Sequence, residues 1–258
     1  MRVFSIAYWT FIALSCIPFF LLALVLFVLT VPLDRRRVVL HLYSCFWAVF
    51  YIYANPLWSL RVEGRQKLPW RGPAVIVANH ASLIDILTLF ALYRPFKWVS
   101  KASVFKVPCI GWNMKLNDYV GLVRGNKESI VKMMEECRTH LRRGSPVLIF
   151  PEGTRTKTGE LQAFKDGAFR LATEMKCPVI PVAVHGTRDS LPKHGFVLRS
   201  RMRALVEVLD PIDPTALDVD SLRETTRSVI AAALDRQRAV IAREAPRSVR
   251  PDGQGHLA

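Results

Sequence analysis

From Val3 to Leu33 the chain carries no charged side chain, a run of 31 residues. As an α-helix it would measure about 46 Å, against a hydrocarbon layer of about 30 Å, so the pattern predicts a membrane-inserted helix. A signal peptide opened by Arg2 is the competing reading. Its apolar region would be about 7–15 residues long, with a small-residue cleavage site behind it, and this run has neither feature. Asp34-Arg35-Arg36-Arg37 closes the run, and a second uncharged stretch extends from Val38 to Leu60. His41, Ser44 and Asn55 interrupt it, and Trp47, Tyr51, Tyr53 and Trp58 are of the kind that favours the headgroup zone. Residues 1–60 are therefore expected to form membrane-anchoring helices.

Behind residue 60 the pattern changes to short apolar runs alternating with helical periodicity. Ala74–Ala78 and Pro146–Phe150 are buried-strand runs, Val179–Val184 and Met202–Leu209 are two more, and Phe96–Ser100 and Asp118–Val123 are weaker candidates. Helices are predicted over Ile84–Tyr93, over Glu128–Arg143, where Ile130, Met133, Met134, Cys137 and Leu141 recur at helical spacing, and around Ala168, Leu171, Ala172 and Met175. Ser221 and Glu224 fit a capping box opening a last helix that runs to about Arg243. The alternation implies one α/β domain over residues 61–244, a mixed, largely parallel sheet flanked by helices. Residues 245–258, with Pro246, Pro251, Gly253 and Gly255, read as a flexible tail, and no internal repeat stands out.

Charge sharpens this division. The chain has 36 Lys and Arg against 21 Asp and Glu, a formal +15, with 51% of its residues hydrophobic. That hydrophobicity excludes a disordered chain, and five scattered cysteines exclude a disulfide scaffold and a paired-cysteine metal site. Cys109, Cys137 and Cys177 read as reduced structural thiols of a cytoplasm-facing protein. Only four arginines and one aspartate precede residue 61, so 32 basic and 20 acidic residues follow, a balance of +12. Such a surface suits nucleic acid or anionic lipid. Beside an anchor, and without a helix-turn-helix, zinc-finger or RNA-binding sheet signature, lipid headgroups are the expected partners and nucleic acid is not. Arg35, Arg36 and Arg37 belong on the cytoplasmic side by the positive-inside rule. If the second stretch lies in the interface, or dips in and returns, everything after residue 60 is cytoplasmic, and this is the arrangement expected. A two-span hairpin would place it outside.

Chemistry in an open α/β sheet belongs where strands end, and three strand ends carry unusual residues. The first is Asn79-His80-Ala81-Ser82-Leu83-Ile84-Asp85. A histidine takes a proton from a hydroxyl near neutral pH, and a carboxylate on its other ring nitrogen fixes the tautomer and raises its basicity. On one regular helix the two residues would lie about 140° apart, so the pairing requires a turn. Ser82-x-x-Asp85 is equally a capping box for the following helix. The second end, Gly121-Leu122-Val123-Arg124-Gly125-Asn126, sets an arginine fork before a helix start, as a phosphate site would, or forms an ordinary solvated turn. The third is Phe150-Pro151-Glu152-Gly153-Thr154-Arg155. There Glu152 can accept from hydroxyls, Gly153 lets backbone approach a ligand and Arg155 offers a second fork; a charged turn is the alternative.

These strings resemble the blocks of the glycerolipid acyltransferases, specifically the bacterial 1-acylglycerol-3-phosphate (lysophosphatidic acid) acyltransferase family. The likeness covers about residues 60–210, with four motifs in the family's order. Asn79-His80-x4-Asp85 is similar to the family's catalytic His-x4-Asp block. Gly121–Gly125 resembles the second, in which the arginine, here Arg124, meets the acceptor's phosphate with Gly125 beside it. Phe150–Arg155 resembles the third, which implies acceptor binding by Glu152, Gly153, Thr154 and Arg155. Val179-Ile180-Pro181-Val182-Ala183 resembles the fourth, a strand whose proline, Pro181, is linked to acyl or acceptor placement. Lys101–Gly111, reading K-x6-P-x2-G, is similar to the segment between the first two blocks, and Ala81 stands where the family often has a larger polar residue. Anchoring helices ahead of the domain are common in this family.

The resemblance implies transfer of an acyl group from acyl-CoA or acyl-carrier protein to the sn-2 hydroxyl of lysophosphatidic acid, with His80 as base, Asp85 orienting it and neither cofactor nor metal. It implies a protein of the cytoplasmic (inner) membrane with its catalytic domain facing the cytoplasm, among membrane lipids. Ser82 reads as a cap rather than a nucleophile, and Lys101 and Lys165 as further candidates for phosphate contact. Two rivals remain: the same chemistry on glycerol 3-phosphate or another lysolipid, and a catalytically silent lipid-binding scaffold.

Overall fold

The computed structural model describes residues 2–156, 158–191, 197–198 and 201–244; the expected tail, 245–258, lies outside the described residues. The first uncharged run folds as one helix, α1 (Arg2–Thr30), and the second begins as α2 (Val38–Tyr53). The second does not stay helical to Leu60. Asn55 and Pro56 break it, and Trp58–Glu63 forms strand β1 of the sheet. Three of the four aromatics expected at the headgroups are instead packed inside the protein, Trp47, Tyr51 and Trp58, while Tyr53 is exposed.

The remaining elements are β2 (Val75–Ala78), α3 (Ile84–Phe90), β3 (Lys97–Lys101), α4 (Ile110–Leu116), β4 (Val120–Leu122), α5 (Lys127–Arg142), β5 (Val147–Ile149), α6 (Gly167–Glu174), β6 (Val179–His185), β7 (Met202–Val208) and α7 (Val219–Glu244). They form one seven-stranded sheet in the order β1-β7-β6-β2-β5-β3-β4. β6, β2, β5, β3 and β4 run parallel, while β7 pairs antiparallel with β6 and carries β1 parallel to itself. The sheet is thus mixed and largely parallel, as the alternation implied.

Both faces are covered, which is why β2 reads as an unbroken apolar run. Val75 and Val77 pack on one face with Met133, Cys137 and Leu141 of α5, Phe169 of α6 and Ile230 of α7. Ile76 and Ala78 point to the other face, among Leu89, Leu92, Phe96 and Trp98. All five cysteines are buried free thiols.

Local chemistry explains the element ends. The Asn126 side chain caps α5, accepting from Ser129 N–H (2.8 Å). The last helix starts earlier than the capping box proposed. The Asp218 carboxylate accepts from Ser221 N–H (2.7 Å), so Asp218 is the cap and Ser221 its donor inside the first turn. Aspartate and serine satisfy helix-start donors equally well, and the sequence offers both within four residues.

α2 is fastened to the α/β part by buried polar contacts. One His41 ring nitrogen meets Tyr119 OH (2.7 Å) and the other the Arg94 carbonyl (2.9 Å). Ser44 Oγ accepts from the amides of Asn113 (2.9 Å) and Asn117 (3.0 Å). α1 packs along α2 and reaches α4 through Phe20 and Trp112. Its start meets the domain where Leu198 N–H donates to Ser5 Oγ (3.0 Å). Just past its end, Arg36 donates to Ser145 Oγ and to the Trp70 carbonyl. The outward face of α1 is apolar and exposed, with Val3, Leu14, Val28 and Leu29 all more than half accessible.

Candidate active site

Because β6, β2, β5, β3 and β4 are parallel, their carboxyl ends share one edge of the sheet. That edge brings together Asn79-His80, the Phe150–Arg155 turn, Lys101 and the Val123–Asn126 turn, which the sequence scatters over more than seventy residues. Three strand spacings of about 4.8 Å separate β2 from β4, so the Arg124 turn stands about 14 Å along the edge from the histidine.

At the exit of β2, Asn79 continues the sheet with its side chain. Its amide donates to the Val184 carbonyl (2.9 Å) and accepts from Val184 N–H (2.8 Å). The chain then turns, and His80 Nδ1 donates to Asp85 Oδ2 (2.9 Å). An ionised carboxylate only accepts, so the proton is on Nδ1, and in the neutral ring Nε2 holds the lone pair. Among the described residues Nε2 has no hydrogen-bond partner. The ring stacks on Phe150, with centroids 4.1 Å apart and planes 13° from parallel. His80 is 8% exposed and Asp85 fully buried.

Of the capping box only the carboxylate half forms, since Asp85 N–H bonds the Ser82 carbonyl and α3 follows Leu83 with no side-chain cap. The same Oδ2 accepts from Ala81 N–H (2.7 Å) and Ser82 N–H (2.8 Å), which bends the chain so that residues five apart can pair. Ser82 is completely buried; its hydroxyl donates to the Leu191 carbonyl and accepts from Ile84 N–H (3.3 Å each). Both its roles are structural, as expected of a cap.

The β5 turn holds the histidine's backbone from the other side. Glu152 Oε1 accepts from His80 N–H (2.7 Å), and Thr156 N–H donates to the His80 carbonyl (3.0 Å). Glu152 Oε2 accepts from the backbone and side-chain N–H of Gln162 (3.1 Å each). Both oxygens of this buried carboxylate are thus engaged within the chain. Burial pushes its carboxyl above the usual range, and the bonds from His80 and Gln162 oppose that. Gly153 turns the chain at φ 70°, and Lys165 lies over it: a Cβ there would stand 3.0 Å from Lys165 Nζ. A side chain at 153 would therefore meet both a disfavoured backbone conformation and the lysine. The Thr154 carbonyl accepts from Gln162 Nε2 (3.2 Å), and Arg155 follows half-buried.

Farther along the edge, Lys101 ends β3 opposite Leu122. Lys101, Arg124 and Gly125 are all exposed, with Gly125 at φ 78°. Pro181 is set apart from this edge. It is buried inside β6 opposite Val77, behind the histidine rather than beside it.

Two groups of the site leave little or no signal in the local sequence pattern. Gln162 lies in a loop without periodicity, and Thr187 Oγ1, at the exit of β6, donates to Asp85 Oδ1. A Gly-Thr pair closing an apolar strand was the one available hint of the second.

The assembly is therefore a histidine of fixed tautomer, with an unshared ring nitrogen, on an edge that also carries exposed cations. It can remove a proton from a hydroxyl while an anionic group is held farther along the sheet.

Residues 59–185 match the acyltransferase family. Over 228 residues the chain is 36% identical to a 1-acyl-sn-glycerol-3-phosphate acyltransferase of Chlamydomonas reinhardtii, covering 88% of this chain and 67% of the relative. It is 37% identical to a chloroplastic enzyme of the same description from Arabidopsis thaliana, covering 78% of this chain and 55% of that one. A Saccharomyces cerevisiae relative so described is 33% identical, covering 72% and 61%. The chain thus spans between about half and two thirds of these relatives' lengths. They come from an alga, a plant and a yeast, so they speak for the family rather than for a bacterial branch of it. The crystal structure of the 1-acyl-sn-glycerophosphate (LPA) acyltransferase PlsC from Thermotoga maritima superposes with a TM-score of 0.73 at 22% identity, covering 92% of this chain and 96% of that one. At that identity the likeness is one of fold.

Proposed function

The chain belongs to the acyltransferase family, and from that premise we propose that it transfers a fatty acyl group from acyl-CoA or acyl-carrier protein to the sn-2 hydroxyl of 1-acylglycerol 3-phosphate, giving phosphatidic acid. The observation that carries this reading is the 2.9 Å bond from His80 Nδ1 to a fully buried Asp85, which leaves Nε2 to act as base. Nε2 removes the hydroxyl proton as the oxygen attacks the thioester carbonyl. The tetrahedral intermediate then collapses, the carbon–sulfur bond breaks, and the thiolate leaves with the proton returned by the imidazolium. Asp85 holds the ring and stabilises its charged form. No covalent enzyme intermediate is needed, in keeping with the structural role of Ser82.

The acceptor's phosphate is assigned to the cations of the edge, Arg124 first, with Lys101 on the neighbouring strand, and Lys165 and the half-buried Arg155 on the β5 turn nearer the histidine. A planar guanidinium matches phosphate oxygens in pairs. Arg124→Glu is expected to raise the KM for lysophosphatidic acid about tenfold or more with little change in kcat, and to leave a phosphate-free lysolipid almost unaffected. An acceptor panel measures this directly. If phosphate-free acceptors are used best by the wild type, the role of Arg124 is wrong.

The membrane reading rests on how α1 lies. It runs alongside the α/β part from Ser5 to the Arg36 contacts instead of projecting away from it. Upright in a bilayer, it would draw the polar edges of the sheet into hydrocarbon; lying in one leaflet, it sinks its apolar outer face and keeps the domain in water. With Arg35–Arg37 on the cytoplasmic side, the catalytic domain faces the cytoplasm. Flotation with anionic phospholipid vesicles tests this. The wild type is expected to float in high salt, and Leu14→Glu with Leu21→Glu is expected to abolish most of the binding, because both leucines lie on the exposed outer face of α1 and the charges would have to enter the leaflet with it.

A further inference from the structure

We propose that Thr187 is a positioning residue of the acyl-transfer site, acting through Asp85; the assignment rests on the acyltransferase reading above. Asp85 has no solvent exposure, so its lone pairs must be met from within the protein. Oδ2 serves His80 Nδ1, Ala81 N–H and Ser82 N–H, all on the loop that carries the histidine. These three bonds move with that loop and cannot by themselves fix it against the sheet. Oδ1 accepts from the hydroxyl of Thr187, 102 residues away and 1% exposed. Among the described residues this is the bond that ties the Asp85 carboxylate to the exit of β6.

The route that brings Thr187 there is built for close approach. Gly186 turns the chain at φ 84°, and a Cβ on it would lie 1.9 Å from the Arg203 carbonyl oxygen, so no other residue fits. The same connection holds the histidine's loop at two further places, through the Asn79 amide on Val184 and the Ser82 hydroxyl on the Leu191 carbonyl. The exit of β6 is therefore a fixed wall against which the loop is registered. Thr187 supplies its contact to the carboxylate itself. Without that donor the carboxylate is held less firmly at Nδ1, so the ring is aimed less well, and its less compensated charge stabilises the imidazolium against the neutral ring. Both changes leave less of the ring in its neutral, correctly aimed form.

The test uses the full chain with acyl-CoA and lysophosphatidic acid in vesicles, comparing wild type, Thr187→Val and Thr187→Ser. Thr187→Val keeps the shape and removes the donor; Thr187→Ser keeps the donor. Thr187→Val is expected to lower kcat about 10–100-fold with KM within about twofold, and to move the acidic limb of the kcat/KM profile up by about half a pH unit. Thr187→Ser is expected to stay within about threefold of wild type. A Thr187→Val enzyme with wild-type kcat and profile overturns the role. So does an equal loss in both variants with an unmoved profile, which would mark Thr187 as packing only. If Thr187→Val does not fold, Thr187→Ala carries the same comparison. Absence of turnover in the wild type with either thioester donor overturns the acyltransferase reading and this role with it, whereas wild-type turnover beside an unaltered Thr187→Val removes the role alone.

Discussion

His80→Ala is expected to lower kcat by about 10²–10⁴-fold, and saturating acceptor should not restore it. The ring nitrogen acts on the hydroxyl proton during attack, so its loss raises the barrier of the chemical step and leaves substrate affinity nearly intact. The fold should persist, because Asp85 keeps Ala81 N–H, Ser82 N–H and the Thr187 hydroxyl as donors when the imidazole is gone. Circular dichroism and the melting temperature, measured beside single-turnover kinetics, separate the two effects. A variant that melts like wild type yet has lost the chemical step identifies the base. One that retains more than a tenth of wild-type kcat removes His80 from the mechanism.

Asp85→Ala is expected to fail on both counts. The carboxylate is fully buried and accepts four hydrogen bonds, so alanine abandons the His80 ring, two backbone N–H groups and the Thr187 hydroxyl together. Each orphaned donor costs about 1–3 kcal/mol, which for the four makes a total of about 4 kcal/mol or more. Urea unfolding should show that loss alongside a fall in kcat comparable to His80→Ala. Asp85→Asn separates the two, since it keeps the volume but presents an amide that can favour the wrong tautomer. Because the two residues act as a unit, His80→Ala with Asp85→Asn is expected to be no slower than His80→Ala alone. Multiplicative losses would mean that Asp85 serves catalysis by some other route.

The parts of this architecture that lay open in the sequence are those whose physics is local. A charge-free run, an apolar strand bounded by turn residues and a helix with 3.6-residue spacing each announce themselves within about 15 residues. That is why β2, α5 and β5 lie within a residue of where their pattern puts them, while α1 stops three residues short of its charge-free run. The failures have the same cause. β1 was hidden because Trp58, Leu60 and their neighbours extend an apolar stretch already assigned to membrane helices, and only its pairing with β7 makes it a strand. Asp218 and Ser221 compete for one helix start, and no local rule ranks them. At the site, the five-residue step from His80 to Asp85 was visible as a candidate, yet its two readings looked exclusive. The structure joins the pair to half of the box, since the bonds from Ala81 and Ser82 N–H, in the turn ahead of α3, are what turn the carboxylate toward the ring. The contacts of Glu152 with His80 N–H and of Thr187 with Asp85 span 72 and 102 residues and leave no periodic trace.

Whether His80 on this sheet edge activates the hydroxyl of a phosphate-bearing lysolipid is read out by thiol release. Purified wild type and His80→Ala are each given acyl-CoA, or acyl-carrier protein in a second series, with lysophosphatidic acid, and free thiol is followed against phosphatidic acid formed. The wild type is expected to release one thiol per phosphatidic acid, dependent on the acceptor, and His80→Ala at least a hundredfold less. No acceptor-dependent release by the wild type with either donor, or equal release by both proteins, would contradict it.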